Sequence, residues 1–546
     1  MRKSAGTTPV PAAAVKNTKS AAVLMHSKAY GVRRTEVTNT PYSVLRTPYL
    51  YQVVSGLLLA LSFPSSGWGF LAWLALVPLL ASLHHAQNNS QALGFGLISG
   101  ILFFLCSIHW LTHVSTLGWL IVTLMESIYI MIFAWLAYAG IKSSKPIIFK
   151  VLWISLAWTV TEFLRSEMPV SGFGWNLLAY SQSSYVTLIQ FASVLGAYGF
   201  GFLIALVNAS LFYAWFERKN RKTALGLVAV IVCVLAGLWG YGKLTLAKFL
   251  DPKEYLRVSV VQGNIPQSVK WELMAKEKIL EIHEKLTRLA ALEQTDLIIW
   301  PEAAFPGYFN RDLQAERISR LAEEIQTPLL LGGLEWESEK ESYNSAYFLE
   351  KSGASGQRYD KLRLVPFGEY VPLKSIFGGL KPIADALGIS NFNAGAVPVI
   401  FRWAREDWPF GVLICFEDIF LDLARDLADR DAKFLVVITN DAWFGKTSAP
   451  FQHLQASIFR AIENGVSIVR AANTGVSAFV SHQGRVLATV KNANGEETFV
   501  MGQKTFDLPL VAERTLFRRG GHVFPHIATA CFLILGLFLF GKRAAK

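Results

Sequence analysis

The sequence predicts a polytopic α-helical membrane bundle of about eight helices carrying a layered α/β domain. Three observations predict it. Of the 546 residues, 52% are hydrophobic and only 17% are charged, against about 45–50% and about 25% in a soluble protein. Long apolar runs follow one another through the first half of the chain, and another lies near its end. Between them, from about Arg257 to Leu508, short β-branched runs alternate with amphipathic stretches, as strands interleaved with helices do. At about 100–200 residues per domain the length allows two to four units. The composition excludes a disordered chain, a collagen-like fibre and a disulfide scaffold, since 4 cysteines staple nothing at this length.

Membrane helices are expected near 49–65, 67–84, 92–113, 117–141, 147–164, 186–216 and 223–247, with a last one near 522–541. Most reach the ~20 residues needed to cross the hydrocarbon core, and the first two are short or broken by Pro64. The expected organisation is a basic tail over 1–48, seven helices over 49–247, an outer domain over 248–517 and a final helix over 522–541. The tail has no apolar core and no clear cleavage site, and is read as a disordered extension rather than a signal peptide.

The net charge of +12 is explained by where it sits. Eight Lys/Arg against Glu36 lie in residues 1–46, Lys142, Lys145 and Lys150 follow, residues 217–222 add a net +3, and Lys542, Arg543 and Lys546 close the chain. Counted over the expected spans, these segments share one side, and positive loops stay in the cytoplasm. Both termini are therefore expected inside and residues 248–517 outside. Lys243, Lys248, Arg518 and Arg519 fall on the other side, within reach of anionic headgroups. No nucleic-acid partner is needed.

In the outer segment, strands are expected at Arg257–Gln262, Asp296–Trp300, Pro328–Gly333, Ser345–Glu350, Gly411–Phe416, Phe434–Asn440, Ser467–Ala472, Ala478–Ser481 and Val486–Val490. Helices are expected at Glu272–Gln294, Asp312–Gln326, Ile419–Asp429 and Pro450–Gly465. The stretch is long enough for one domain with a full core. Between Val365 and Ala396 lies a segment of little period, rich in Gly, Pro and Phe. A loop of that length is usually functional, and facing a bilayer it is a candidate route for lipid chains.

Cys106, Cys233 and Cys531 fall inside expected spans, where a thiol behaves as a small hydrophobe. Cys415 alone lies in the outer domain, ending the apolar run Gly411-Val412-Leu413-Ile414 and opening a helix at Phe416-Glu417-Asp418. A helix N-terminus lowers the pKa of a thiol placed there. Glu302 likewise follows an apolar run, Leu297-Ile298-Ile299-Trp300-Pro301, and Lys361 lies in Tyr359-Asp360-Lys361-Leu362-Arg363.

In this order, Trp-Pro-Glu, then Lys, then Cys-Phe-Glu after an apolar strand, the chain resembles the carbon–nitrogen hydrolase (nitrilase) superfamily. Thr439-Asn440-Asp441-Ala442-Trp443-Phe444-Gly445, Gln452-His453 and Arg470-Ala471-Ala472-Asn473-Thr474-Gly475 look like its downstream part. With the membrane helices included, residues 49–541 resemble the bacterial apolipoprotein N-acyltransferases. This likeness takes in Val261-Gln262-Gly263-Asn264-Ile265-Pro266-Gln267 and Gly172-Phe173-Gly174-Trp175-Asn176. The resemblance implies an eight-helix bundle in the inner membrane carrying a periplasmic nitrilase-like αββα sandwich. It also implies two substrates, a phospholipid acyl donor (typically phosphatidylethanolamine) and a lipoprotein acceptor whose first residue is an S-diacylglyceryl-cysteine.

The residue types fit that chemistry. The Cys415 thiolate is the nucleophile, and a thioester splits one hard acyl transfer into two easier steps. Glu302 is the general base for the thiol and later for the incoming amine. Lys361 supplies positive charge where the carbonyl oxygen becomes an oxyanion. Lysophospholipid leaves before the acceptor arrives. No step calls for a metal or cofactor, and no His/Cys cluster has zinc spacing. Among supporting positions, the resemblance implies an aromatic near the site entrance at Trp271 and acidic groups at Glu369 and Glu417, one of them supporting Lys361. Phe416 stands where a tyrosine often follows the nucleophile, and lacks its hydroxyl. His453 has no role in this scheme and is read as structural. In the bundle, Glu126, His109, His113 and Glu162 are expected at or near membrane depth, Glu162 and Arg165 one helical turn apart as a pair. Gly96 and Gly100 have the spacing of a helix-packing face. A membrane-tethered amidase using water as acceptor, and a transporter or scaffold with an inactive outer domain, are the competing readings.

Overall fold

The long apolar runs form helices: α1 (Leu50–Leu61), α2 (Val77–His85), α3 (Asn89–Ser107), α4 (Thr116–Ile141), α5 (Ile147–Glu167), α6 (Val186–Ile189), α7 (Ala192–Phe216) and α8 (Arg221–Ala247). The computed structural model describes residues 49–63, 67–168, 172–248, 252, 254–339, 341–371, 391–402, 408–511 and 513–541. The expected tail over 1–48 lies outside them, as do residues 372–390 of the expected loop. Seven stretches are long and apolar enough to cross a membrane: Trp68–His85, Asn89–Ser107, Thr116–Ile141, Ile147–Glu167, Ala192–Phe216, Arg221–Ala247 and Gly521–Phe540. Helix α1, the eighth apolar helix, has 12 residues. At about 1.5 Å per residue it covers little more than half of a ~30 Å core.

Three expected spans differ in detail. The one over 67–84 opens with a 3₁₀ turn, Trp68–Trp73, before α2. The one over 92–113 leaves the α-helix at Ser107 and finishes as a 3₁₀ turn, His109–His113. The one over 186–216 divides into α6 and α7, and α7 is kinked at Gly196 (φ 68°). Gly96 and Gly100 do serve packing: a Cβ on Gly96 would lie 2.5 Å from the Ala134 Cβ, and one on Gly100 would lie 2.9 Å from the Ser127 Cα, so α3 and α4 meet closely there. The expected pair of Glu162 and Arg165 is not formed. Arg165 reaches across to Glu126 on α4 (3.0 Å) and donates to the carbonyls of Phe173 (2.8 Å) and Trp175 (2.9 Å). Glu162 instead accepts from the Leu178 amide (2.6 Å). Both carboxylates thereby fasten the 173–178 segment to the bundle.

The outer domain carries β1 (Glu254–Gln262), α9 (Lys276–Ala291), β2 (Leu297–Ile299), α10 (Gln314–Ile325), β3 (Leu329–Ser338), β4 (Glu341–Leu349), β5 (Ser355–Asp360), β6 (Ile400–Phe401), β7 (Phe410–Ile414), α11 (Leu421–Asp429), β8 (Phe434–Thr439), α12 (Ala449–Asn464), β9 (Ser467–Ala472), β10 (Ala478–Val480), β11 (Val486–Thr489) and β12 (Gly502–Leu510). A one-turn helix, α13 (Leu516–Arg519), leads into the last helix, α14 (Phe524–Phe540). The strands make two six-stranded sheets, ordered β12-β1-β2-β3-β4-β5 and β11-β10-β9-β8-β7-β6. Strands β1, β2 and β3 run parallel, as do β7, β8 and β9.

Successive side chains point to opposite faces, which assigns each layer. Leu297 and Ile299 of β2 face Phe434, Val436 and Ile438 of β8 across the space between the sheets. Ile298 packs instead with Leu280 and Leu286 of α9 and Leu321 of α10. On the far side of the second sheet, Leu435 and Val437 lie with Leu427 of α11, Phe459 of α12 and the apolar side chains of the bundle. The layers are helix, sheet, sheet, helix, and the last helical layer is continuous with the membrane helices. Such strands read as unbroken apolar runs because both faces are covered.

Helix α12 makes the junction. Gln452 Oε1 accepts from the indole N–H of Trp110 (3.0 Å) and of Trp175 (2.9 Å), and its Nε2 donates to the Ser107 carbonyl (3.0 Å). At its end, Glu463 accepts from the Ala197 amide just past the α7 kink (2.8 Å). Replacing Gln452 by Leu leaves two buried indole donors and a carbonyl unpaired. At about 1–3 kcal/mol for each unsatisfied group, Gln452→Leu is expected to lower the unfolding midpoint of the detergent-solubilised protein markedly, followed by tryptophan fluorescence.

Candidate active site

The site forms where parallel-running strands end. Strand β5 is antiparallel to β4 and β4 to β3, so β5 runs parallel to β3 and β2. Glu302 follows β2, Lys361 follows β5 and Cys415 follows β7, all at carboxyl ends, where open α/β sheets hold ligands. The turn at Glu302 presses on β3: a Cβ on Gly332 would sit 2.5 Å from the Ala303 nitrogen and 2.7 Å from the Glu302 Cα, so only glycine fits.

Glu302 is held at both oxygens. Its Oε1 accepts from Asn344 Nδ2 (2.8 Å) and lies 3.5 Å from Lys361 Nζ, and its Oε2 accepts from the Asn440 amide at the end of β8 (2.9 Å). Lys361, 1% exposed, also donates to Glu369 (2.9 Å). Asn344 bridges the two carboxylates, donating to Glu369 Oε1 as well (2.9 Å). Burial works against the Lys361 ammonium, but Glu369 and Glu302 outweigh it and hold the group above the usual lysine range.

Cys415 is half-buried and has φ 55°, a left-handed conformation rarely taken by a residue with a side chain and common at functional turns. Its neighbours fix that conformation. Glu417 accepts from the amides of Ile414 (2.7 Å) and Leu362 (2.6 Å) and from the Tyr359 hydroxyl (2.8 Å), so this buried carboxylate ties the Lys361 segment to the Cys415 turn. Burial pushes its pKa up to about 7, against those hydrogen bonds. The expected lowering of the thiol pKa is not found. Cys415 opens a five-residue 3₁₀ turn rather than an α-helix, and burial and the Glu302 charge raise the thiol. Lys361 and a hydrogen bond from Thr439 oppose them.

The remaining expected positions separate. Glu369 joins Lys361 directly. Phe416 is buried, its ring against Phe420 at 5.3 Å. Trp271 is 49% exposed in the turns after β1. His453 lies beneath Cys415, fully enclosed. Its Nδ1 faces Asp441 (3.0 Å) and its Nε2 faces Asp418 (2.9 Å) and the Cys415 carbonyl (3.3 Å). Arg470 completes the cluster, 2.9 Å from Asp418 and 3.3 Å from Asp441. Among the described residues, no group of three or more His, Cys, Asp and Glu converges as metal ligands.

The apolipoprotein N-acyltransferase N-terminal domain matches residues 55–210, and the carbon–nitrogen hydrolase family matches residues 257–534. An apolipoprotein N-acyltransferase of Geobacter metallireducens is 36% identical over 81% of this chain and 87% of its own. The chain belongs to the apolipoprotein N-acyltransferase family. A relative of the same name from Chlorobaculum tepidum is 28% identical over 90% of this chain and 97% of its own. Among solved structures, an amidase of the nitrilase superfamily from Nesterenkonia AN1 is similar over 47% of this chain and 91% of its own, at 19% identity and a TM-score of 0.36. The protein is thus an acyltransferase of the carbon–nitrogen hydrolase superfamily and a bacterial membrane protein.

Asn344, mid-strand on β4, had no sequence signal of its own, while Thr439 and Asn440 lie in the stretch that carries the family likeness and act through a hydroxyl and a main-chain N–H. Lys270, 2% exposed, donates to the Glu302 carbonyl (3.0 Å). Only the apolar-to-polar step after β8 and the Gln267–Lys270 stretch after the Gly-Asn-Ile-Pro motif could have drawn attention to them.

The His453 cluster yields a signed expectation. Burial and Arg470 disfavour the imidazolium, but Asp418 and Asp441 prevail and raise its pKa from 6.5 to about 9. A raised pKa stabilises the fold fully below the unfolded value of about 6.5, and that contribution is lost as pH rises through about 9. Removing one member of a buried ionic cluster costs about 3–5 kcal/mol. His453→Leu should show that loss at pH 6.5 in urea unfolding, and the gap to the wild type should shrink towards pH 9.5.

Proposed function

We propose that this protein transfers a fatty acyl chain from a phospholipid, phosphatidylethanolamine being the preferred donor, to the α-amine of an S-diacylglyceryl-cysteine at a lipoprotein N-terminus. Membership of the family implies phospholipid and lipoprotein substrates at a membrane. What carries the residue-level reading is the Glu302–Lys361–Glu369 array beside the Cys415 turn. In the first half-reaction, Glu302 takes the Sγ proton as Cys415 attacks the ester carbonyl, and Lys361 balances the charge on the carbonyl oxygen. The C–O bond breaks, and the lysophospholipid alkoxide leaves with the proton from Glu302. In the second, the amine attacks the thioester, Glu302 accepts its proton, and the thiol is regenerated as the amide forms. A raised thiol pKa fits this order, since the proton moves as the new bond forms rather than beforehand. Glu369 and Glu417 act through Lys361, Glu369 by pairing with it and Glu417 by tethering its segment; Phe416 lines the base of the turn, and Trp271 guards the approach.

The seating of α12 in the bundle supports a lipid donor over a small amide, because a soluble amide needs no such junction. The Lys/Arg distribution supports cytoplasmic termini and a periplasmic catalytic domain in the inner membrane.

The test is purified protein in detergent, incubated with labelled phosphatidylethanolamine and then a diacylated lipopeptide. Intact mass should show one acyl group on the Cys415 peptide that passes to the lipopeptide. Cys415→Ser should stall as an ester and Cys415→Ala should carry none. Ammonia release from small amides without any lipid adduct would overturn the reading. Lys361→Met should lower the acylation rate about 10²–10³-fold, as loss of one oxyanion donor does, and Glu302→Gln should abolish both half-reactions.

A further inference from the structure

Lys270 is a buried ammonium for which the scheme above has no use. It is 2% exposed, and its Nζ makes one hydrogen bond among the described residues, to the Glu302 carbonyl at 3.0 Å. Its loop is anchored to the ends of β8 and β9 in the second sheet. Asn473 exchanges hydrogen bonds with Ile265, receiving from its amide (2.9 Å) and donating to its carbonyl (2.8 Å), and Asn440 donates to Gln267 (2.8 Å). The same Asn440 gives its amide to Glu302. The lysine is therefore delivered to the site by a built loop, while the next residue, Trp271, points to the surface.

The charge count gives this placement a meaning. Glu302 and Glu369 share the single ammonium of Lys361, so that array alone carries one uncompensated negative charge. Passing the Cys415 proton to Glu302 leaves that total unchanged but moves negative charge onto sulfur, in surroundings where unpaired charge is costly. The Lys270 ammonium interacts with both Glu302 and Cys415, and offsets the charge that the Glu302–Lys361–Glu369 array leaves over. We infer that Lys270 is a second cation of the site, a positioning residue that holds the main chain at Glu302 and offsets the negative charge that moves onto sulfur as Cys415 gives up its proton. This deepens the acyl-transfer reading and rests on it only where acylation is the readout.

Burial lowers the Lys270 pKa to about 8, with Glu302 and Cys415 opposing. The groups that face it are Glu302 after β2, Cys415 after β7, and His283 on α9. Burial holds His283 down to about 4, so it stays neutral over the range that matters. The Lys270 charge is present below pH 8 and lost above it.

The experiment follows alkylation of Cys415 by iodoacetamide and acyl-enzyme formation from labelled phospholipid from pH 6 to 10, on the full-length protein in detergent, by mass of the Cys415 peptide. In the wild type, acylation should fall above about pH 8. In Lys270→Met, alkylation at pH 8 should slow about tenfold, corresponding to a thiol pKa about one unit higher, and the alkaline fall in acylation should disappear into a uniformly low rate. Lys270→Arg keeps a cation at every pH in the range; it should restore alkylation to within about twofold and hold acylation up to pH 10. A Lys270→Met alkylation profile that superimposes on the wild type overturns the inference. So does a fall near pH 8 that persists in Lys270→Arg, which decides the matter if Lys270→Met does not fold. Alkylation needs no lipid. A wild type that alkylates but never acylates would sink the acyl-transfer reading and leave the role of Lys270 judged on the alkylation arm.

Discussion

Two carboxylates held around one buried ammonium is the constraint on which this molecule turns. Charges in such a space are tolerable only when every lone pair and proton has a partner. Here the partners come from five places: Asn344 on β4, the amide of Asn440 after β8, Glu369, the turn at Glu302 and the end of β5. Because these lie on both sheets, the sandwich must close before the array exists. The parallel strands supply this arrangement cheaply, since each ends at the same edge and turns outward there.

The membrane bundle enters the same construction from beneath. Gln452 is held by Trp110 and Trp175 of the bundle, and the next residue, His453, touches the Cys415 carbonyl and Asp418. Trp175 is in turn fixed through its own carbonyl by Arg165, whose charge is paired with Glu126. An unbroken run of polar contacts thus joins an ion pair among the membrane helices to the turn that presents the sulfur. Each member is buried, so none can shift without leaving a group unsatisfied. In this fold the bundle is part of the support of the catalytic turn, beyond any role as an anchor.

Apolar strands announce themselves, and so do the polar residues that interrupt them: Glu302 and Cys415 stand where unbroken runs stop, which is why the sequence alone singles them out. Lys361 lacks that sign. It follows β5, whose sequence Ser-Gly-Gln-Arg-Tyr-Asp is polar and pairs as a sheet edge, so only the family likeness could mark it. Strand β12 was invisible for a related reason. It carries Lys504, Asp507 and Pro509 at a sheet edge, where proline and charge are tolerated and apolar period is weak. The helix ends expected at Glu272 and Gln294 lie four and three residues off because the first turn is 3₁₀ and the last winds out at Leu292. Asn344 and Lys270 could not be read at all. A single amide in a strand and a single lysine in a loop have no pattern, and their meaning comes from Glu302, which a different strand of the same sheet brings within 3 Å.

The enclosure of His453 also decides which group moves protons. A histidine near a cysteine invites the role of general base, yet both ring nitrogens are committed to carboxylates, and the ring is protonated near neutral pH. An imidazolium held between Asp418 and Asp441 has no lone pair with which to accept a proton. Glu302, by contrast, keeps two oxygens turned towards the space between Lys361 and the Cys415 turn. The two aspartates, against burial, keep the imidazole protonated, whereas burial raises the thiol, so sulfur and carboxylate must exchange the proton as the new bond forms. A resting thiol of this kind is also poorly reactive towards stray electrophiles. In the proposed scheme it becomes a nucleophile when an ester is aligned with Glu302 and Lys361 together, which is what a transferase facing a membrane full of esters requires.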